Sequence, residues 1–186
     1  MTYFTVNRMS VTEYEEKRSR FIAHLVPILV FQEMLTRLRE EHRKATHHVT
    51  ATRQIDTNNR ITETAKDDGE PAGTSGMPVL KTITGANLID AGIIVTRYFG
   101  GTKLGTGGLA RAYASAAKQA IAQANLVEWH RVIRRSISVP FELSSEIERE
   151  IANSGLFVVE RDFHEQGISV TIEGPEKMVE GFLVRF

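Results

Sequence analysis

Two short stretches of the sequence concentrate the residues able to do chemistry. The first, Asp67-Asp68-Gly69-Glu70-Pro71-Ala72-Gly73-Thr74-Ser75-Gly76, carries three carboxylates in four residues. Such a cluster can hold a hard cation or supply an acid and a base. The same residue types also make a solvated turn, with Asp and Gly chosen for backbone geometry. A serine elbow is excluded, because Gly73-Thr74-Ser75-Gly76 runs into Met77 rather than completing G-x-S-x-G. Calcium-loop spacing is absent as well. The second stretch, Gly100-Gly101-Thr102-Lys103-Leu104-Gly105-Thr106-Gly107-Gly108, lies between an apolar strand pattern and a helical one. Free N–H groups and the positive dipole end at a helix start favour an anion, and glycines let it approach the backbone. Arg97, Lys103 and Arg111 add charge, and no carboxylate lies between Gly100 and Gly108. The expected site holds phosphate or sulfate on the N–H groups of Gly105, Thr106, Gly107 and Gly108, with Lys103 or Arg111 assisting. The alternative is a tight turn that seats the helix against a sheet. The stretch is not a P-loop, since Thr106 stands where the lysine belongs. Gly105 to Ala110 fits G-x-G-x-x-[GA], but the acidic ribose contact downstream is not evident.

Adjacent His47 and His48 point to opposite faces if they sit in a strand, which makes a poor joint metal site. Each alone reads as a structural or surface residue, one of them able to reach the functional face. No metal and no cofactor is expected. Arg131, Arg134 and Arg135 form a basic cluster that would either touch phosphate or stay solvated.

The elements that must position these residues follow from periodicity. Phe21 to Val26 reads as a core strand. Phe31, Met34, Leu35 and Leu38 recur at helical spacing. Thr46 to Gln54 and Arg60 to Lys66 read as strands across a polar turn. Pro78 suits the first position of a short helix. Ala91 to Tyr98 is the clearest buried strand, and a long alanine-faced helix runs from Leu109 to Ala124. The pattern restarts near Val127 as β-α-β-β-α: Ile133 to Val139, Ser144 to Ala152 with Gly155 as a stop, Leu156 to Phe163, Ile168 to Glu173, and a last helix after Gly174-Pro175. The expectation is an α+β chain with a domain at 1–126 and another at 132–186.

The bulk numbers bound the function. The chain has 186 residues, 41% hydrophobic and 25% charged, with a formal net charge of zero. Neutrality speaks against generic nucleic-acid binding, so any RNA contact must use a local patch. There are no cysteines, which excludes disulfides, thiolate metal sites and a thiol nucleophile. With no signal pattern and no membrane-length apolar run, the chain reads as soluble and cytoplasmic.

Four stretches, taken in order, resemble the IMPACT/YigZ family. Asp67 to Pro78 is similar to its D-D-G-E-P-[SA]-G-T-[SA]-G-x-P signature, and Arg97 to Leu109 to its R-Y-[FY]-G-G-x-x-L-G-x-G-G-L signature. Lys17-Arg18-Ser19-Arg20-Phe21-Ile22-Ala23 and Ala45-Thr46-His47-His48 resemble two further segments. The resemblance adds Lys17, Ser19, Arg20, His47 and His48 to the candidate residues, beside Asp67, Asp68, Gly69, Glu70, Pro71, Gly73, Thr74 and Gly76 of the first loop. It implies an N-terminal domain of the ribosomal-protein-S5 domain 2-like fold, followed by a small ferredoxin-like domain similar to the last domain of elongation factor G. That second domain lacks its final strand here, so either the chain is cut short or a sheet edge is open. The eukaryotic branch regulates a stress kinase acting on initiation factor 2, and the bacterial branch has no settled activity. Two readings follow. One is a non-enzymatic regulatory module, monomer or weak dimer, that binds ribosome, RNA or a translation-regulatory protein. The other is an enzyme acting on a phosphorylated small molecule or nucleotide at the second loop. In either case the two loops are expected side by side, with Glu70, Arg97 and Lys103 in one cleft.

Overall fold

The computed structural model describes residues 2–185, which divide into two compact units, one up to Trp129 and one from His130 onward. In the first unit a five-stranded antiparallel sheet is ordered β2-β3-β6-β4-β5. Its strands are β2 (Ser10–Glu16), β3 (Ser19–Pro27), β4 (His47–Ile55), β5 (Ile61–Lys66) and β6 (Ala91–Tyr98). A small pair, β1 (Phe4–Val6) and β7 (Leu126–Glu128), joins the two ends of the unit.

Side chains alternate across a strand, so each face collects every second residue. One face gathers Phe21, Ala23 and Leu25 of β3, Val95, Ile93 and Ala91 of β6, and Val49 and Ala51 of β4. It is covered by α2 (Gly76–Gly85) and α3 (Gly105–Gln123). Ala112, Ala116, Ala117 and Ala120 of α3 are buried there, and their short side chains bring the helix close to the sheet. The other face presents Val26 and Ile94 to Phe31, Leu35 and Leu38 of α1 (Phe31–Glu41).

His24 lies on the α1 face, almost fully buried, with Nδ1 unpartnered among the described residues. Burial, then the nearby His42, lowers its pKa from 6.5 to about 4, against a smaller opposing pull from the Ile22 backbone and Glu41. The unfolded chain therefore binds the extra proton first, and stability falls as pH drops from 6.5 towards 4. The expected loss is on the order of 3 kcal/mol at about 1.4 kcal/mol per pH unit. His48, lowered chiefly by burial, acts in the same direction. Denaturant midpoints measured from pH 4 to pH 7 should slope upward in the native chain and flatten in His24→Phe. Equal slopes in the two would overturn the assignment.

The second unit has the order β8 (Val132–Val139), α4 (Phe141–Ser154), β9 (Phe157–His164), β10 (Gly167–Pro175), α5 (Glu176–Leu183). Its antiparallel sheet runs β8-β10-β9 over a core of Val170, Ile172, Ile147, Ile151 and Phe182. Gly155, at φ 75°, ends α4 in the left-handed conformation that favours glycine.

Two sequence expectations shift. Pro78 is the third residue of α2, not the first. Gly105, Thr106, Gly107 and Gly108 are not loop but the first turn of α3, with Leu104 at its N-cap. Packing of Leu109 and Ala112 in the core overrides the poor helix propensity of the glycines. The strand β2 and the three-residue strands β1 and β7 have no clear apolar period, and sequence reading passed over them.

Candidate functional site

The hydrophobic face of the large sheet ends in one polar row. Phe21, Arg97 and His47 are register partners across β3, β6 and β4, one step beyond Ala23, Val95 and Val49. Arg97 is therefore carried on the core face, where its guanidinium lies 5.4 Å from the Phe21 ring and 5.7 Å from the Phe99 ring. A buried cation needs a counterion, and Glu70 from the first signature loop supplies it. Arg97 Nη1 donates to Glu70 Oε1 at 2.5 Å, with both side chains nearly inaccessible. The Tyr113 hydroxyl of α3 donates to the same oxygen at 2.7 Å. Burial, then this hydrogen bond, pushes the Tyr113 hydroxyl well above its ordinary range, so it stays protonated and donates. His47 Nδ1–H donates to the Asp68 carbonyl at 2.7 Å, and its Nε2 stands 3.8 Å from Glu70 Oε1.

The other two carboxylates of the loop are also consumed internally. Asp67 accepts from the N–H groups of Gly73, Ser75 and Gly76 and from Ser75 Oγ, closing the loop onto the start of α2. Burial alone would raise its pKa, but the Ser75 hydroxyl and the three N–H groups outweigh it and hold the carboxyl low. Asp68 accepts from the His48 N–H and pairs with Arg39 of α1. The loop thus folds as turns around Asp67, with Thr74 donating to the Pro71 carbonyl. Gly76 has no room for a side chain, since a Cβ there would lie 2.7 Å from Lys66 N. Among the described residues no group of three or more His, Asp or Glu is placed to hold a metal.

The second loop rests on the β2–β3 turn. Lys17 and Arg18 both have positive φ, 48° and 64°, the geometry of a tight two-residue hairpin made here without glycine. Ser19, fully buried, accepts from the Gly100 N–H at 3.1 Å and from Arg97 Nη2 at 3.5 Å. Beyond Gly100 the chain turns through Gly101 and the exposed Lys103 into α3. That helix begins with no side-chain cap and no acidic residue in its first turn, and Gly105, Thr106 and Gly107 are exposed. Beside it lies a cavity of about 230 Å³ whose lining includes Lys17, Gly108, Arg111 and Glu16.

A family model described as the Impact N-terminal domain matches residues 17–121. The chain belongs to the IMPACT family. It is 35% identical over 167 residues to IMPACT family member YvyE of Bacillus subtilis (strain 168), covering 88% of this chain and 76% of that protein. It is 39% identical over 117 residues to IMPACT family member YigZ of Escherichia coli (strain K12), covering 61% and 57%. A crystal structure of a hypothetical protein superposes with a TM-score of 0.71 at 25% identity, over 99% of this chain and 90% of that one.

In this IMPACT chain the signature residues separate into two sets. Ser19, His47, Glu70, Arg97 and Gly100 meet at the end of the sheet, with Asp68 bonded to His47 and His48. Arg97, expected to help bind an anion, is instead an internal residue, because Glu70 neutralises it in the core. Arg20 does not join the cluster: it pairs with Tyr98 in register, one position off the Arg97 row, and makes a two-pronged ion pair with Glu13. His48 is buried on the α1 face, away from His47. Lys103 is exposed and makes no ion pair among the described residues, whereas Glu70 is buried. Sequence reading missed Tyr113 as the second partner of Glu70. Its signal was present, since a tyrosine on an alanine stripe must satisfy its hydroxyl once buried. Arg39, the ion-pair partner of Asp68, was missed as well.

Proposed function

We propose that this protein is a non-enzymatic binding module linked to translation, which takes an anionic group of its partner at the start of α3. One observation carries the reading: the three carboxylates of the first signature loop and Arg97 of the second are spent on internal partners, whereas the first turn of α3 is exposed beside Lys17, Lys103 and Arg111, which make no ion pair among the described residues. Ser75 Oγ touches a carboxylate, but Ser75 is fully buried and has no path to a substrate. What the surface offers is backbone donors with Lys17, Lys103 and Arg111, a set suited to binding negative charge. On this reading the first unit is the S5 domain 2-like domain, and the second is ferredoxin-like with the outer edge of β8 unpaired among the described residues. The translation link rests on family membership, and the partner is ribosome, RNA or a translation-regulatory protein.

The cavity lined by Lys17 and Arg111 favours the second reading, a phosphorylated small molecule bound for chemistry. Incubation of the purified chain with a panel of nucleotides separates the two. Phosphate release or transfer above background would establish the enzyme. No turnover, with recovery of ribosomal RNA or a translation factor in a native pull-down performed with and without nuclease, supports the binding module.

A further inference from the structure

The formal neutrality of the chain conceals a basic stretch. From Pro71 to Val127 there are five cations, Lys81, Arg97, Lys103, Arg111 and Lys118, and a single carboxylate, Asp90. Asp90 is engaged by Trp129 Nε1 and the Ile55 N–H, and Arg97 is neutralised in the core. Three of the remaining cations, Lys81 on α2 and Arg111 and Lys118 on α3, line one groove of about 740 Å³ between these helices. No carboxylate lines it. Glu63, which reaches α2 at Thr84, is held by Arg53.

The floor of the groove is apolar and made of short side chains, among them Ala110, Ala114 and Ile121. Its α3 wall runs from Ala110 to Ala122, about 18 Å at 1.5 Å per residue, which matches about three turns of a second helix. We propose that this groove docks an acidic amphipathic helix of a partner protein. Small residues allow the close axial approach of a packed helix. Arg111 and Lys118 lie two turns apart on one wall and Lys81 on the other, placed to meet carboxylates flanking an apolar stripe. RNA fits less well. No aromatic ring lines the groove to stack a base, and three cations neutralise few phosphates. The proposal does not depend on the anion site at the α3 start, with which it shares only Arg111.

The test is fluorescence anisotropy on the full chain with a labelled helical peptide of about 20 residues, long enough to hold a helix. The peptide carries Leu and Ala along one face and Glu on both flanks. Saturable one-to-one binding is expected, weakened about tenfold or more in Lys81→Glu/Lys118→Glu, since charge reversal at a rim acts on both encounter and affinity. Ala114→Trp, which fills the floor and leaves the charges intact, should abolish it. If Ala114→Trp does not fold, the lysine variant decides alone, because both side chains are exposed. Equal affinity for a Glu→Gln version of the peptide would overturn the proposal. So would unchanged binding by the lysine variant, or tighter binding of a single-stranded RNA that displaces the peptide. Lys81 and Lys118 lie outside the α3 start, so failure here leaves phosphate binding there to be judged separately.

Discussion

Glu70→Ala is expected to lower the unfolding free energy by about 3–5 kcal/mol, the cost of leaving one member of a buried ion pair uncompensated. The carboxylate is the only ion-pair partner of Arg97 among the described residues and also accepts from Tyr113. Its loss leaves a guanidinium in the core and a buried hydroxyl without an acceptor, and the neighbouring His47 loses a facing charge. Glu70→Gln keeps the volume and an acceptor for Tyr113 but removes the charge, so it should fall between native and alanine. Combining Glu70→Gln with Arg97→Met removes both charges, and part of the loss should return. Trp129 is the one tryptophan, belongs to the first unit and is bonded to Asp90, so its fluorescence in a urea titration reports the right transition. A change below about 1 kcal/mol would place the pair in the range of solvent-exposed ion pairs and contradict its burial.

Gly100→Ala should cost about 3 kcal/mol, the upper part of the usual range for overpacking. A Cβ at this position would lie 2.0 Å from Arg18 C, 2.2 Å from Arg18 O and 2.3 Å from Ser19 N. All three are backbone atoms of a turn already held at positive φ, so nothing nearby can yield cheaply. The substitution also forces apart the Gly100 N–H and Ser19 Oγ, the bond that ties the second loop to the turn. Gly101→Ala is the control. Beyond its own residue and its chain neighbours no atom lies within 4 Å of its Cβ, and only the φ of +85° opposes it, at about 1 kcal/mol. Equal losses at the two positions would show that conformation, and not the contact with Arg18, dictates the glycine at 100.

Much of this arrangement was legible because local chemistry and global packing agree. The continuous buried run from Ala91 to Tyr98, the alanine stripe of α3 and the Gly155 stop each carry a pattern or a backbone requirement that one sequence displays. The first stretch and the Gly100 to Leu104 part of the second were legible as loops. Their internal wiring was not, because it depends on register: Arg97 becomes a core residue only through pairing with Phe21 and His47, and no spacing along the chain encodes that row. The start of α3 was placed too late for a related reason, as four residues of low helix propensity are drawn into the helix by the core contacts of the next turn. Edge strand β2, Ser-Val-Thr-Glu-Tyr-Glu-Glu, buries no residue completely and so shows no apolar face to read.

The central claim is that the exposed start of α3 binds an anion with its backbone, and amide NMR on the native chain during a titration with inorganic phosphate tests it directly. The account predicts saturable shifts confined to Gly105, Thr106, Gly107, Gly108 and their neighbours. Gly107→Val should abolish them by blocking backbone approach, and Lys103→Ala should weaken binding by about 1–2 kcal/mol, one charge-assisted hydrogen bond. Amides of Gly105 to Gly108 that do not move as phosphate rises would mean that the glycines serve only to seat the helix.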